Sequence, residues 1–347
     1  MITAGAVLVV SAFAFADGFT VSGYVRAGLA SSFEKNPALS TQKWLGGIYF
    51  NGDSPNTRGR VNLNFDGTND NGTYGAFLRL QYTGADDSAS ASWGYGGVSY
   101  ANAYAGFLGN KITIAAGKLN DKWIGSSGFE GFSVLDGKSG AAVTVSPVTG
   151  LNITGAGIID YSKNSDGSYE TKGNTFLGGV KYTADAFTAS VSGAGYGRFT
   201  ADFEYTAVEN LLVSVEGQYD TADGRSNTGD EQELLSDVWI QYKGIDKWTF
   251  GVLSFQYFNR TDVSADDDFT LKVIPAVAYQ VNDVVGLSVE GTYTQPVYDD
   301  APDGYATIVP ALKLSADKTA SASIWASIST DNDQEKSSIG LGVIKSF

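Results

Sequence analysis

The sequence contains no cysteine and no histidine among its 347 residues. Without cysteine it cannot form a disulfide framework or a thiol nucleophile, and without histidine it cannot form a histidine-dependent triad or metal site. Charged residues make up only 18%, and 38 acidic against 23 basic side chains give a net charge of −15. This charge leaves no general basic face for a nucleic acid. An enzyme of this composition would have to depend on carboxylates, lysine, serine or tyrosine.

Long hydrophobic segments are also missing, apart from the beginning of the chain. Residues 1–16 form an apolar run that ends in Ala14-Phe15-Ala16, the small-x-small pattern cleaved by signal peptidase. The run is shorter than the ~20 residues that a membrane-spanning helix needs. We predict that residues 1–16 are a signal peptide. Residues 17–347 are then a single exported domain that can enter a membrane only as a closed barrel.

Alternation of apolar and polar residues is frequent in the rest of the chain. Between residues 199 and 207, Phe203 and Tyr205 share one face of an extended strand, whereas Asp202 and Glu204 share the other. Stretches of about 10 residues with this period are typical of strands that have lipid on one side and water on the other. The strands of a soluble β-sandwich also alternate, so the number and spacing of the stretches must distinguish a membrane barrel from a sandwich.

Eighteen such stretches follow one another along the chain. They cover residues 18–30, 58–67, 73–83, 97–108, 111–119, 139–146, 151–161, 173–183, 186–197, 198–207, 211–220, 234–243, 247–258, 269–280, 284–296, 305–315, 319–330 and 337–347. Short turns rich in Gly, Asn or Asp mostly alternate with long polar segments, as in outer-membrane barrels. We predict an all-β fold, a transmembrane antiparallel β-barrel of about 18 strands with both termini at the short-turn rim. If the stretches that meet at Gly197 are one bent strand and one further assignment fails, the number is 16.

Three segments resemble the general porins of Gram-negative bacteria. Residues 102–120, NAYAGFLGNKITIAAGKLN, are similar to the porin hairpin that precedes the constriction loop. Residues 121–138 follow where porins carry the loop that folds into the pore. The chain ends in SSIGLGVIKSF, and Phe347 resembles the terminal aromatic residue that the barrel assembly machinery recognises. The resemblance implies an outer-membrane protein with an inward-folded constriction loop, assembled as a homotrimer.

Charged residues within the strands are expected to point into the lumen, because Lys or Arg on the lipid face near mid-bilayer costs about 2–4 kcal/mol. Four of the seven arginines lie on the polar faces of the first three stretches. The resemblance implies that cations on one wall face carboxylates of the inward loop. The predicted constriction residues are Arg26, Arg60, Arg79, Lys118, Asp121, Glu130 and Asp136. The alternative is that these charges lie near the rims, solvated or paired.

The sequence thus predicts a water-filled channel in outer-membrane lipid for passive diffusion of small hydrophilic solutes and ions, without a catalytic residue, cofactor or metal. Two alternatives stay open at this stage. A substrate-selective pore, for example for sugars, would use lumen aromatics such as Tyr24 and Phe77. A barrel adhesin or surface structural protein would have a closed lumen and bind through its loops.

Overall fold

A computed structural model describes most of the chain. The described residues are 18–32, 56–85, 97–119, 134, 139–163, 169–221, 232–260, 268–297, 303–317, 319–330 and 338–346. The predicted signal peptide, residues 1–16, and the predicted assembly signal, Phe347, lie outside them. Among the residues described, no helix has the length and apolar character needed to cross a membrane.

The described residues form eighteen β-strands. In chain order they are β1 (Gly18–Ser32), β2 (Asn56–Asn69), β3 (Gly72–Ala85), β4 (Gly97–Phe107), β5 (Ile112–Lys118), β6 (Ser139–Val148), β7 (Leu151–Lys163), β8 (Tyr169–Thr183), β9 (Phe187–Ala194), β10 (Arg198–Tyr205), β11 (Leu211–Asp220), β12 (Gln232–Tyr242), β13 (Trp248–Arg260), β14 (Asp268–Gln280), β15 (Val285–Val297), β16 (Tyr305–Ser315), β17 (Ala320–Ser329) and β18 (Ser338–Ser346). The eighteen predicted strands are confirmed. The chain turns between β9 and β10 at Gly197, which has φ 93°, and the two strands pair with each other, so the alternative of 16 strands is wrong.

Each strand pairs antiparallel with its neighbours in the chain, and β1 also pairs with β18. At the seam, Leu29 stands opposite Leu341 and Tyr24 opposite Ser346. This pairing closes the sheet into a barrel, as predicted. A closed barrel has no free strand edge along its wall.

The connections at one rim are short. They are residues 70–71, 108–111, 149–150, 184–186, 206–210, 243–247, 281–284 and 316–319. Several contain residues with positive φ, such as Asn110 at 67° and Asn210 at 62°, a conformation that asparagine tolerates better than most residues. The connections at the other rim are mostly longer, except for residues 195–197 between β9 and β10 and residues 164–168 between β7 and β8. Strand β1 begins, and β18 ends, at the short-turn rim.

The short turn between β16 and β17 is held by Asp317. Its Oδ1 accepts hydrogen bonds from the Thr319 hydroxyl at 2.7 Å and from the backbone N–H groups of Thr319 and Ala320 at 2.6 and 2.7 Å. Its Oδ2 lies 3.2 Å from Lys345 Nζ. These donors, the Thr319 hydroxyl first among them, hold the pKa of the Asp317 carboxyl well below its usual range.

We therefore expect Asp317 to titrate below the ordinary aspartate value of about 3.9. Because the folded-state pKa is lowered, its stabilising contribution is present above the ordinary pKa and is lost only as pH falls through the lowered value. An NMR titration of the carboxyl carbon in detergent micelles measures the midpoint. The Thr319→Ala variant should move it upward. A midpoint at the ordinary value in the parent protein contradicts the turn geometry.

Candidate functional site

The two faces of the sheet differ in chemistry, and their burial is the reverse of that in a soluble protein. Along β11, Glu216 and Asp220 are buried, whereas Val215 and Tyr219 are 43% and 37% exposed. On β18, Leu341 is also exposed on the outer face. Water on the outside would penalise this arrangement. Lipid outside and a polar interior account for it.

The inner face of β1–β4 holds a cluster of arginine and aromatic side chains. In the register, Tyr24 pairs with Arg60, and Asn62 pairs with Arg79. The Arg60 guanidinium carbon lies 5.6 Å from the centre of the Tyr24 ring. Arg79 lies 4.8 Å from the centre of the Tyr100 ring, and its Nε donates to Asn62 Oδ1 at 2.8 Å. Aromatic faces attract cations, so these contacts position both guanidinium groups on the inner wall.

The other predicted constriction residues have different positions. Arg26 pairs in register with Arg58 and Ile344. It follows Tyr24 by two residues on β1, so its strand position is also on the inner face. Lys118 pairs with Ala101, on the outer side of β4. It also alternates with Leu119, which is buried inside the barrel. The strand position of Lys118 therefore faces outward, and its place in the constriction stays a prediction. Asp121, Glu130 and Asp136 lie outside the described residues.

A row of carboxylates crosses the inner face of β10–β12, where no constriction residue was predicted. Asp202 pairs with Glu216, which in turn pairs with Asp237. The three side chains are 5%, 2% and 1% exposed, and Asp202 accepts a hydrogen bond from Ser190. Arg198 forms a bidentate ion pair with Asp220 at 2.7 and 2.8 Å. We call Asp202, Glu216 and Asp237 the acidic row.

The acidic row and the arginines occupy opposite sides of the ring. Strands β2 and β11 are separated by nine pairings in either direction around the eighteen-stranded sheet. The alternation places Asp202 and Glu216 on a polar face, but only closure of the barrel shows that this face is opposite β2. Charges of opposite sign on two walls of a low-dielectric channel produce a field across it.

Among the described residues, no group of three or more acidic side chains has the arrangement of a metal site.

The segment between β5 and β6 touches the inner wall at Val134. Val134 is fully buried, and Tyr196 donates a hydrogen bond from its hydroxyl to the Val134 carbonyl oxygen. The apolar cluster around it consists of Ala115, Leu119, Ala142, Ala156, Ile158, Leu177 and Ala194, with Tyr104 and Tyr196 packed against it. The alanines, Ile158 and Leu177 of this cluster occupy inward positions of β5–β9, and Leu119 directly follows β5, so at Val134 this segment lies inside the barrel.

Tyr196→Phe should loosen this contact. The substitution removes the hydrogen bond to the Val134 carbonyl and should lower the free energy of unfolding by about 1 kcal/mol. Heat-modifiable gel migration and urea unfolding in detergent measure the change. Tyr182→Phe, on the exposed outer face, is the matched control and should have no effect. Equal stability of the two variants contradicts a role for the Val134 contact.

No protein-family model and no curated protein matches the sequence, but several solved structures resemble the fold. A loop L8 deletion mutant of OmpT, an outer membrane protein of Vibrio cholerae, has 14% identity and a TM-score of 0.56, over 95% of this chain and 99% of that chain. Acinetobacter baumannii OccAB4 has 11% identity and a TM-score of 0.59, over 96% and 98%. Pseudomonas aeruginosa OccK5 (OpdH) has 12% identity and a TM-score of 0.54, over 96% and 99%. At these identities the likeness shows a shared fold.

Proposed function

We propose that this chain forms a water-filled channel in the outer membrane, through which small hydrophilic solutes and ions diffuse passively. The observation that carries the proposal is the reversed burial of the closed sheet, with carboxylates and arginines inside and large apolar side chains outside. Barrels of 16–18 strands leave an aqueous channel, whereas about eight strands are filled by side chains. The proposed activity is transport without catalysis.

The opposed charges define the proposed selectivity region. Arg60 and Arg79 stand on one wall and the acidic row on the other, so a permeating dipolar solute is oriented between them. The segment that includes Val134 narrows the lumen in this proposal, as the predicted inward loop. Asp121, Glu130 and Asp136 remain proposed constriction residues in that segment, and Arg26 remains one on the wall.

Single cysteines test whether the lumen contains water, because the chain has no cysteine of its own. Ser288 is on the inner face of β15, whereas the neighbouring Val289 is 44% exposed on the outer face. In lipid bilayers, a charged thiol reagent should label Ser288→Cys rapidly and leave Val289→Cys unlabelled. Unfolding in detergent should make both positions reactive. The opposite labelling pattern contradicts the proposed channel.

A substrate-selective pore is the second candidate function. The observation that favours it is the set of aromatic rings beside the arginines. The Arg79 guanidinium carbon lies 5.5 Å from the centre of the Phe77 ring, and the centres of the Phe77 and Tyr100 rings are 6.4 Å apart. Aromatic faces on a lumen wall can stack on sugar rings. Titration with an uncharged oligosaccharide distinguishes the two: saturable block of the ion current indicates the selective pore, and an unchanged current indicates general diffusion.

The proposal includes export, assembly and a homotrimer. Cleavage of the signal peptide after Ala16 would leave Asp17 as the first residue of the mature protein. The barrel assembly machinery would recognise Phe347. The outer face of β4–β6 supports close approach of another copy, because Ala103, Ala116 and Ala141 pair in register there. Small side chains allow two surfaces to come close together. Sedimentation of the detergent-solubilised protein measures the oligomeric state.

A further inference from the structure

A separate pocket of ≈270 Å³ lies at the short-turn rim, where β12–β16 begin or end. Its lining includes three lysines: Lys243 and Lys247 in the turn between β12 and β13, and Lys313 on the inner face of β16. Thr249 and Ser288, whose side chains carry hydroxyl groups, line it as well. The pocket is therefore distant in sequence from the arginines of β1–β3 and does not belong to the acidic row.

The lining of this pocket contains three lysines and no carboxylate. No ion pair joins Lys243, Lys247 or Lys313 to a carboxylate in the described part of the chain. Asp246 lies in the same turn as Lys243 and Lys247, and Asp283 lies in the turn between β14 and β15, but neither carboxylate lines the pocket. Three lysines that line one cavity bring like charges near one another, and these charges repel. A bound anion would remove this repulsion and accept hydrogen bonds from the ammonium and hydroxyl groups.

The residue types indicate which anion fits. A planar carboxylate is bound best by the rigid fork of arginine, and no arginine lines the pocket. Lysine acts as a compact point charge with three donors on a flexible stem. Three such groups from different strands suit a tetrahedral phosphate group, which carries about two negative charges and three strong acceptor oxygens.

We propose that this pocket binds the phosphate group of a small solute at the short-turn mouth of the barrel. The proposal rests on the proposed channel for the route by which a solute arrives, and on the pocket alone for binding. A phosphate-bearing solute that leaves the lumen is retained there. Because short turns of outer-membrane barrels face the periplasm, the site acts on the periplasmic side.

Calorimetric titration with inorganic phosphate, in phosphate-free nonionic detergent at low salt, tests the site without requiring conductance. Only free phosphate can fill the pocket under these conditions, so a lipid headgroup cannot be the source. The test variant carries Lys243→Gln, Lys247→Gln and Lys313→Gln. The matched control removes three lysines elsewhere, by Lys111→Gln, Lys181→Gln and Lys272→Gln. Heat-modifiable migration verifies folding, and Lys313→Gln alone serves if the triple variant does not fold.

We expect phosphate to bind the parent and the control, and the triple variant to lose at least about tenfold in affinity, since one hydrogen bond to a charged group contributes that much. Acetate should bind more weakly than phosphate. Absence of phosphate binding to the parent, equal loss in test and control variants, or equal binding of acetate overturns the site. A barrel that conducts but does not bind phosphate refutes the site alone. One that binds phosphate but does not conduct refutes the channel alone.

Discussion

Replacement of Arg60 and Arg79 together by alanine should shift the reversal potential in a salt gradient toward cation preference. The double variant removes two positive charges from one wall and leaves the acidic row opposite unbalanced. One unit charge at ~4 Å is equivalent to ~4 kcal/mol at an effective dielectric of 20, and to less once salt screens it. Two long side chains are lost as well, so we expect equal or higher conductance in planar bilayers.

The control for this experiment is Arg60→Lys with Arg79→Lys. Lysine keeps both positive charges but loses the planar group that stacks on Tyr24 and Tyr100. It should therefore retain most of the parent's selectivity. If the alanine variant also retains the parent's selectivity, these arginines are a solvated part of the wall and do not control the ions.

Neutralisation of the acidic row should change selectivity in the opposite direction. The triple variant Asp202→Asn, Glu216→Gln and Asp237→Asn removes three negative charges with almost no change in side-chain volume, so anions gain access. Like charges directly opposite one another on neighbouring strands are destabilising. The variant should therefore unfold in urea at the same or a higher concentration than the parent.

Three acids in turns of the short-turn rim provide the matched control: Asp185→Asn, Glu209→Gln and Asp246→Asn. They lie in the connections 184–186, 206–210 and 243–247, so their removal changes the net charge equally without altering the inner wall. Selectivity should respond to the acidic row much more than to the control. Equal shifts in both variants would show that net charge, and not the position of the row, governs permeation.

The strands were predictable because a barrel wall imposes a period of two on every segment. Alternation located β11 and β16 with the boundaries that the structure has, and the Gly, Asn and Asp residues of the short turns located the hairpins. The start of β8 differs most: alternation begins at residue 173, whereas the strand begins at Tyr169. Pairing close to a rim depends on the neighbouring strand rather than on the local pattern.

The site was predictable in part. The cost of charge in lipid identified the inner face of Arg60 and Arg79, whereas Lys118 was predicted from the resemblance to the porin hairpin and has an outward strand position. Lys118 is the last residue of β5, at the rim of the longer connections, where the cost of an outward charge falls to about 0–1 kcal/mol. The positions of β2 and β11 on opposite sides of the barrel could not be predicted from the sequence, because they follow only from the pairing of β1 with β18. The lysine pocket required the register that brings the ends of β12–β16 together, because its residues are spread from Gln241 to Lys313.

The most direct test of the central claim is single-channel recording of the purified parent protein in planar bilayers with a salt gradient. We predict stepwise insertion events with ohmic current, a reversal potential set by the charges of the two walls, and permeation of uncharged hydrophilic solutes in a parallel liposome-swelling assay. Folded, inserted protein that produces no current steps and no swelling would contradict the channel and favour a closed barrel that acts through its surface.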